Sequence, residues 1–521
     1  MVYTYGYYFG TIAVSPQKSD NLYVAGVPII QSLDGGKTWR GRNAPNMHVD
    51  HHKIWINPEN DQHLIIGNDG GINISFDGGE NYIKCNSPAV GQFYSVAIDQ
   101  SEPYNVYGGL QDNGVWKGSS QHVETSEWHQ TGKNGFEFVL GGDGMRVQID
   151  SRDNATVFTG YQFGHYYRMS PGTNDLYIHP MHELGEEHLR WNWQTPFLIS
   201  RHQEDIVYMG SNKFHRSLDQ GENWDCMSSD LTNGAKSGDV PFGTLSVIDE
   251  SPLNFGWIAV GSDDGLIHIS KDGGQTWINR SHGYPKGIWI TKLEWSAHED
   301  NLIYMTCNGY RNDHFDAYLY KSKDAGKTWT RVGRNLPKEA VNVVIEDKMN
   351  DQLVFVGTDN GAYCSLDAGQ NFMAMSSVLP SVPVHDMVIS DKAQELVIAT
   401  HGRSFYIAPI HLLREASSGH WMNASSEMNA FQFEAPWNPW FENEGPFIEM
   451  DANLEEQGQY DCKLLDTEGE ELLSLKIDLQ QGYNTFKLDA SALRGTLEED
   501  KIIVELSLKD TTFRQVISIV N

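Results

Sequence analysis

The sequence predicts an all-β chain, a β-propeller of seven or eight four-stranded blades followed by a small C-terminal β-sandwich. Three observations predict it. An octapeptide of the form Ser-x-Asp-x-Gly-x-(Thr/Asn)-aromatic returns at 32–39 (SLDGGKTW), 75–82, 217–224, 270–277, 322–329 and 365–372. Its chemistry is that of a hairpin corner: Ser and Asp bond nearby amides, Gly accepts positive φ, and the aromatic packs back on the sheet. The composition, with Gly 50, Trp 15, Tyr 23 and Phe 21 among 521 residues, suits many short aromatic-rich strands joined by tight turns. The spacing is a repeat of forty to fifty residues, the period of propeller blades.

The units follow in order. The first spans 10–39 and the second 48–82. The long gap between Asp77 and Asp219 hides two units without the octapeptide, at 92–128 and 145–177, before the one that 217–224 closes. The clearest unit, 245–277, reads strand, turn, strand, Asp-Gly corner, strand, octapeptide and outer strand, a four-stranded antiparallel blade. Units ending at 322–329 and 365–372 follow. A shorter one, 384–410, has inner strands but no octapeptide. Because an unpaired sheet edge invites aggregation, this partial unit calls for a further strand. Either the first residues of the chain supply it and residues 1–410 form one ring, or residues 1–45 belong to an adjoining propeller. Residues 411–445 read as a linker, and 446–521 as alternating strands of an immunoglobulin- or fibronectin-like sandwich without the Cys–Trp–Cys signature.

The octapeptide resembles the Asp-box, or BNR repeat, of sialidases, sortilin-type receptors and two-propeller xyloglucan hydrolases. That resemblance makes Asp34, Asp77, Asp219, Asp272, Asp324 and Asp367 structural residues, away from the axis where propellers bind. Other stretches are similar to the bacterial sortilin-like BNR-repeat proteins often labelled glycosyl hydrolases: YYFGTIAVSP (7–16), HVDHHKIWINP (48–58), YNVYGGLQDNG (104–114), FGTLSVIDESP (242–252), GYRNDHF (309–315) and ATHGRSFYI (399–407). The resemblance implies an extracytoplasmic protein, periplasmic, cell-surface or secreted. It also implies a separate upstream propeller half as partner. The N-terminus itself has no signal-peptide pattern.

Charge and cysteines exclude several classes. Lys plus Arg total 38 against Asp plus Glu 69, a net charge of −31 that repels nucleic acid and anionic membrane surfaces. No apolar run reaches membrane-span length, so no membrane insertion is expected. Five scattered cysteines without a C-x-x-C pair specify neither a zinc site nor a disulfide framework. No cofactor is expected, and no G-x-S-x-G, H-E-x-x-H or phosphate-loop motif occurs.

Candidate binding residues lie in loops expected at the mouth of the central channel. His48, Asp50 and His51 stand in H-V-D-H-H; if that stretch is a strand, His48, Asp50 and His52 share a face that suits a divalent metal, though no fourth ligand is evident. Gln111, Asp112 and Asn113 form a turn-type corner, and Asp143 lies between glycines. The loop 308–316 offers Tyr310, Arg311, Asn312 and Asp313. The last unit adds His385, His401 and Arg403. Each has a bland reading as turn former or solvated loop; their recurrence across units favours a polar funnel.

Three functions compete. A sialidase needs an arginine cluster and a Phe/Tyr-Arg-Ile-Pro element that is absent. A glycoside hydrolase needs an acid/base carboxylate pair, for which Asp50, Asp143, Asp313 and Asp386 are the candidates. A receptor needs neither: a peptide, protein or glycan ligand held at the central face suffices. Binding without catalysis is the preferred expectation, with glycoside hydrolysis as the alternative.

Overall fold

Each octapeptide closes the corner between the third and fourth strand of a sheet. In the first, Ser32 Oγ donates to Asp34 Oδ1 (2.8 Å) and accepts from Gly36 N (2.8 Å). Asp34 accepts in turn from Thr38 N (2.8 Å) and Thr38 Oγ1 (2.6 Å). The same bonds recur at Asp77, Asp219, Asp272, Asp324 and Asp367. Donation by Thr38 and Ser32 holds the Asp34 carboxyl down at about 2. The corner needs two left-handed residues in a row, Gly35 and Gly36 in the first copy. The second is always Gly, whereas Gln220, Ala325 and Ala368 fill the first place elsewhere.

The computed structural model describes residues 8–45, 47–85, 90–123, 135–236, 242–375, 379–416, 421–424, 447–454, 456–466, 468–480, 482–489, 501–509 and 511–518. It is an antiparallel β protein whose strands follow one another in sequence within nearly every sheet. Seven sheets make a ring: blade 1 (93–140), blade 2 (148–177), blade 3 (197–226), blade 4 (245–279), blade 5 (289–331), blade 6 (341–374) and blade 7 (384–409). Each packs on the next, and the innermost strand of blade 7, Val384–Ser390, packs on that of blade 1, Phe93–Ile98. Blades 1 to 6 have four strands. Blade 7 has three among the described residues, and the ring closes on side chains and backbone bonds at its seam.

The ring has seven blades, one of the two numbers expected, and that arrangement corrects the expected place of one unit: the sheet at 48–82 is not in the ring. Sheets 11–41 and 51–85 pack on each other around Tyr23, Ile29, Ile54, Leu64 and Ile66 and stand outside the ring. Strand Thr11–Val14 pairs with Leu22–Ala25, so it does not complete blade 7. The reason lies in the inner strands. Leu245–Glu250 of blade 4 is buried throughout, with a neighbour on each face. His51–Asn57 alternates, with Trp55 44% exposed on its uncovered side.

Glycines set how closely blades approach. A Cβ on Gly109 would meet Met145 O at 2.2 Å; on Gly261, Ile290 at 2.6 Å; on Gly357, Val384 at 2.5 Å. Each obstacle belongs to the adjoining blade or the segment leading into it. Carboxylates then fasten neighbours. Glu250 of blade 4, fully buried, accepts from Ser200 Oγ (2.7 Å), Arg201 N (2.9 Å) and Tyr208 OH (2.9 Å) at the edge of blade 3. Asp249 accepts from Trp295 N of blade 5 (2.7 Å), and Asp386 of blade 7 from Val96 N of blade 1 (3.2 Å).

After the ring, a short helix, His411–Ala416, precedes two C-terminal sheets. One joins Trp421–Ala424, Phe447–Leu454 and Gly482–Asp489, so a strand lies inside the stretch expected as a linker. The other orders Glu471–Leu479, Gly458–Leu465, Lys501–Leu508 and Thr511–Ser518. Both contribute to one core, with Ala452 and Leu488 from the first and Tyr460, Leu464 and Val504 from the second. No helix is long and apolar enough to cross a membrane among the described residues.

Candidate functional site at the ring axis

The innermost strand of five blades carries the same irregularity. Its register slips by one residue at Tyr94, Ser246, Thr291, Asn342 and His385, each flanked by paired neighbours. A bulge turns the extra residue out of the sheet's alternation. All five bulged residues line one cavity of about 600 Å³ where the inner strands begin. Blades 2 and 3 reach the same cavity through the segments before their first strands, with Arg146 from one and Asn192, Trp193 and Gln194 from the other. The corners of blades 5 and 6 complete it with Asn308, Tyr310, Arg311 and Asp359.

The lining is polar and held in place. Trp193 Nε1 donates to Tyr94 OH (3.2 Å), Asn342 Nδ2 to Asp359 Oδ1 (2.9 Å), and Thr291 Oγ1 to Val341 O (2.9 Å). Lys292 Nζ stands 3.9 Å from Asp386 Oδ1. At the rim the Arg311 guanidinium lies over the rings of Trp289 and Tyr310, at 4.6 and 4.5 Å. His385 stacks on His401 at 4.5 Å; burial, with His401 beside it, pushes its pKa down to about 3, so the imidazole is neutral near pH 7. Two polar atoms are buried without a hydrogen-bond partner: Arg146 Nε and Asn308 Oδ1.

Of the residues singled out from sequence, Tyr310, Arg311, His385 and Asp386 line this cavity, and His401 packs behind it against Tyr94. The others lie elsewhere. Asn312 donates to Gly287 O (2.9 Å), Asp313 is an exposed left-handed residue ending a short 3-10 turn, and Arg403 is exposed. None of these three lines the cavity.

A second group gathers where sheet 51–85 meets blade 1. His48 Nε2 bonds Asp112 O (2.8 Å), and Asn113 Nδ2 donates to Asp69 O (3.0 Å). Asp143 accepts from Asp112 N (2.7 Å), Gln111 Nε2 (3.0 Å) and Gln162 Nε2 (2.9 Å), bonds that lock a corner. The strand begins at His51, and Asp50 before it is left-handed (φ 60). His48, Asp50 and His52 therefore do not share a strand face as the metal reading required. His52 instead bonds Asp69 at 2.6 Å, and burial pushes His51 down to about 4. No group of three His, Cys, Asp or Glu residues suited to a metal occurs among the described residues.

Sequence reasoning missed Arg146, Lys292, Asn308, Asn342 and Asp359. A signal was present for two of the bulged positions: a lone polar residue between apolar ones in L-S-V (245–247) and V-N-V (341–343) at the start of a buried strand.

The fold and axial cavity define a β-propeller protein. No family model matches the chain, and no curated protein matches it. Among solved structures it is similar to the extracellular domain of the hybrid two component system BT3049 from B. thetaiotaomicron, with 13% identity, 98% of this chain and 67% of that chain covered, and a TM-score of 0.45. It is also similar to YCF48 from Cyanidioschyzon merolae (12%, 76% and 93%, TM-score 0.31) and to the Niastella koreensis GH74 enzyme (13%, 92% and 85%, TM-score 0.27). At these scores the architecture rests on the chain's own sheets.

Proposed function

We propose that this chain is an extracytoplasmic binding propeller that takes a peptide, protein or glycan at its axial cavity without chemical turnover. The observation that carries this reading is the cavity itself. Seven blades converge polar side chains on one space of a size that suits a ligand. Of the carboxylates considered for hydrolysis, only Asp386 lines it, and Val96 N and Lys292 already engage that group. Hydrolysis is the second reading because Asp359 also lines the cavity. On the same view, sheets 11–41 and 51–85 belong to an adjoining propeller completed by an upstream half, and residues 446–521 are an immunoglobulin- or fibronectin-like module.

The test is binding of the full chain to arrays of peptides and glycans, compared with Asn342→Trp, which places an indole in the cavity. The variant is expected to lose at least ~10-fold in affinity for any ligand the chain retains, the effect of filling a site whose few polar groups fix the ligand. Ligands indifferent to it would place recognition elsewhere. Polysaccharide cleavage abolished by Asp359→Asn, with binding kept, would favour the hydrolase.

A further inference from the structure

Building on the axial-cavity reading, we infer that the ligand is an acidic oligosaccharide whose uronate carboxylate seats on Arg146. Two arginines line the cavity, Arg146 and Arg311, and the Arg311 guanidinium is taken up by the rings of Trp289 and Tyr310. Arg146 lines the cavity, forms none of the ion pairs present among the described residues, and keeps its Nε buried and unbonded. A guanidinium grips a carboxylate through two parallel N–H···O bonds, and the edge formed by its two terminal nitrogens is one such fork. A single water meets that fork at one point only.

The remaining lining favours a sugar over a peptide segment. Asn308 and Asp359 line the cavity with an amide and a carboxylate. Sugar hydroxyls are donors that answer such groups. Trp193, held by its N–H bond to Tyr94, adds an aromatic side chain to the lining, the residue type that packs on the apolar side of a pyranose ring. The cavity, about 600 Å³, lies within the range of small-ligand sites. The overall charge of −31 opposes a long polyanion, so a short oligomer is the fitting form. At physiological ionic strength that distant charge is screened beyond roughly 8 Å, whereas Arg146 acts at contact.

The experiment titrates the full chain by calorimetry with a trimer of galacturonate or glucuronate, and with the same trimer after its carboxyl groups are reduced to alcohols. The acidic trimer is expected to bind at least ~10-fold more tightly, the weight of one charge-assisted fork. Arg146→Ala is expected to remove that preference, while Arg146→Lys restores only part of it. Asn308→Leu is expected to weaken both trimers alike. Should Arg146→Ala fail to fold, the Lys variant and the reduced trimer carry the test. Equal binding of the two trimers, or an unchanged preference in Arg146→Ala or Arg146→Lys, overturns the inference. So does an acidic peptide that outcompetes the trimer. If a neutral glycan or a peptide binds and Asn342→Trp abolishes it, the axial reading stands and the acidic-sugar inference falls. If whatever binds is indifferent to Asn342→Trp, both fall.

Discussion

Phe93→Ala is expected to lower stability by about 3–5 kcal/mol and to open the ring at one place. Phe93 of blade 1 stacks on Phe405 of blade 7, with ring centroids 3.7 Å apart. Gly108 beside them has no room for a side chain, since a Cβ there would meet Phe405 at 2.5 Å and Phe93 at 2.6 Å. Around this stack the seam is held by backbone bonds from Gly402 N and Ser404 N to Gly91 O, both 3.0 Å, and by Tyr104 OH to Glu395 (2.7 Å). No covalent link joins blade 7 to blade 1 here, so loss of the stack falls on a joint held by non-covalent contacts alone. Hydrogen exchange is therefore expected to speed first in strands Phe93–Ile98 and Phe405–Pro409. Phe214→Ala, in the core shared by blades 3 and 4, is the control. It is expected to cost a similar amount without singling out those strands, and identical exchange maps would refute the seam argument.

Glu250→Ala is expected to cost about 3–5 kcal/mol, because it strands four donors, Ser200 Oγ, Arg201 N, Tyr208 OH and Gly256 N, in the buried joint between blades 3 and 4. Blade 6 provides an internal comparison. Glu346 holds the position of Glu250 and accepts from Ser296 Oγ (2.6 Å) and Ala297 N (2.9 Å). Its Oε1 is buried without a partner, because Tyr304, at the position of Tyr208, turns its hydroxyl to Ala368 O (3.3 Å). Burial accordingly pushes the Glu346 pKa above the usual glutamate range. Glu346→Ala should cost at least ~1 kcal/mol less than Glu250→Ala, the worth of one hydrogen bond to a charged group. Urea unfolding of the two variants measures the difference, and equal losses would show that the tyrosine hydroxyl contributes nothing.

Turn chemistry was legible in the sequence because it is local. Ser32, Asp34, Gly36 and Thr38 satisfy one another within seven residues, and the copies do the same. Ring membership was not, since the decisive contacts join residues nearly three hundred apart, such as Val96 and Asp386. An octapeptide identifies a blade but is silent on which blades flank it. A weaker cue existed in period. The run LSVI at 245–248 is apolar or small on both faces, as a strand with two neighbours requires, whereas HHKIWIN at 51–57 puts Lys53 and Trp55 on the side without one. The cavity was half legible. Loops rich in His, Asp and Arg drew attention to His48, Asp143 and Asp313, yet those residues fasten corners or face solvent. Many of the residues that reach the axis do so through bulges, whose sole trace in the sequence is a polar residue at the start of an apolar strand, or through segments such as 146 and 192–194 that precede a blade.

Gly67 occupies in sheet 51–85 the strand position that Gly261 and Gly357 hold in the ring, but a Cβ on it would meet nothing within 4 Å. The same residue type is thus demanded by crowding in one place and unconstrained in the other. Valine at position 261 should unfold blade 4 against Ile290, while valine at 67 should leave the melting temperature of this chain within about a degree, as open surface positions do. A valine at 67 then works as a feeler gauge. It is silent while that flank of the molecule faces water, and registers as a loss of fit as soon as anything is pressed there as tightly as one blade on the next.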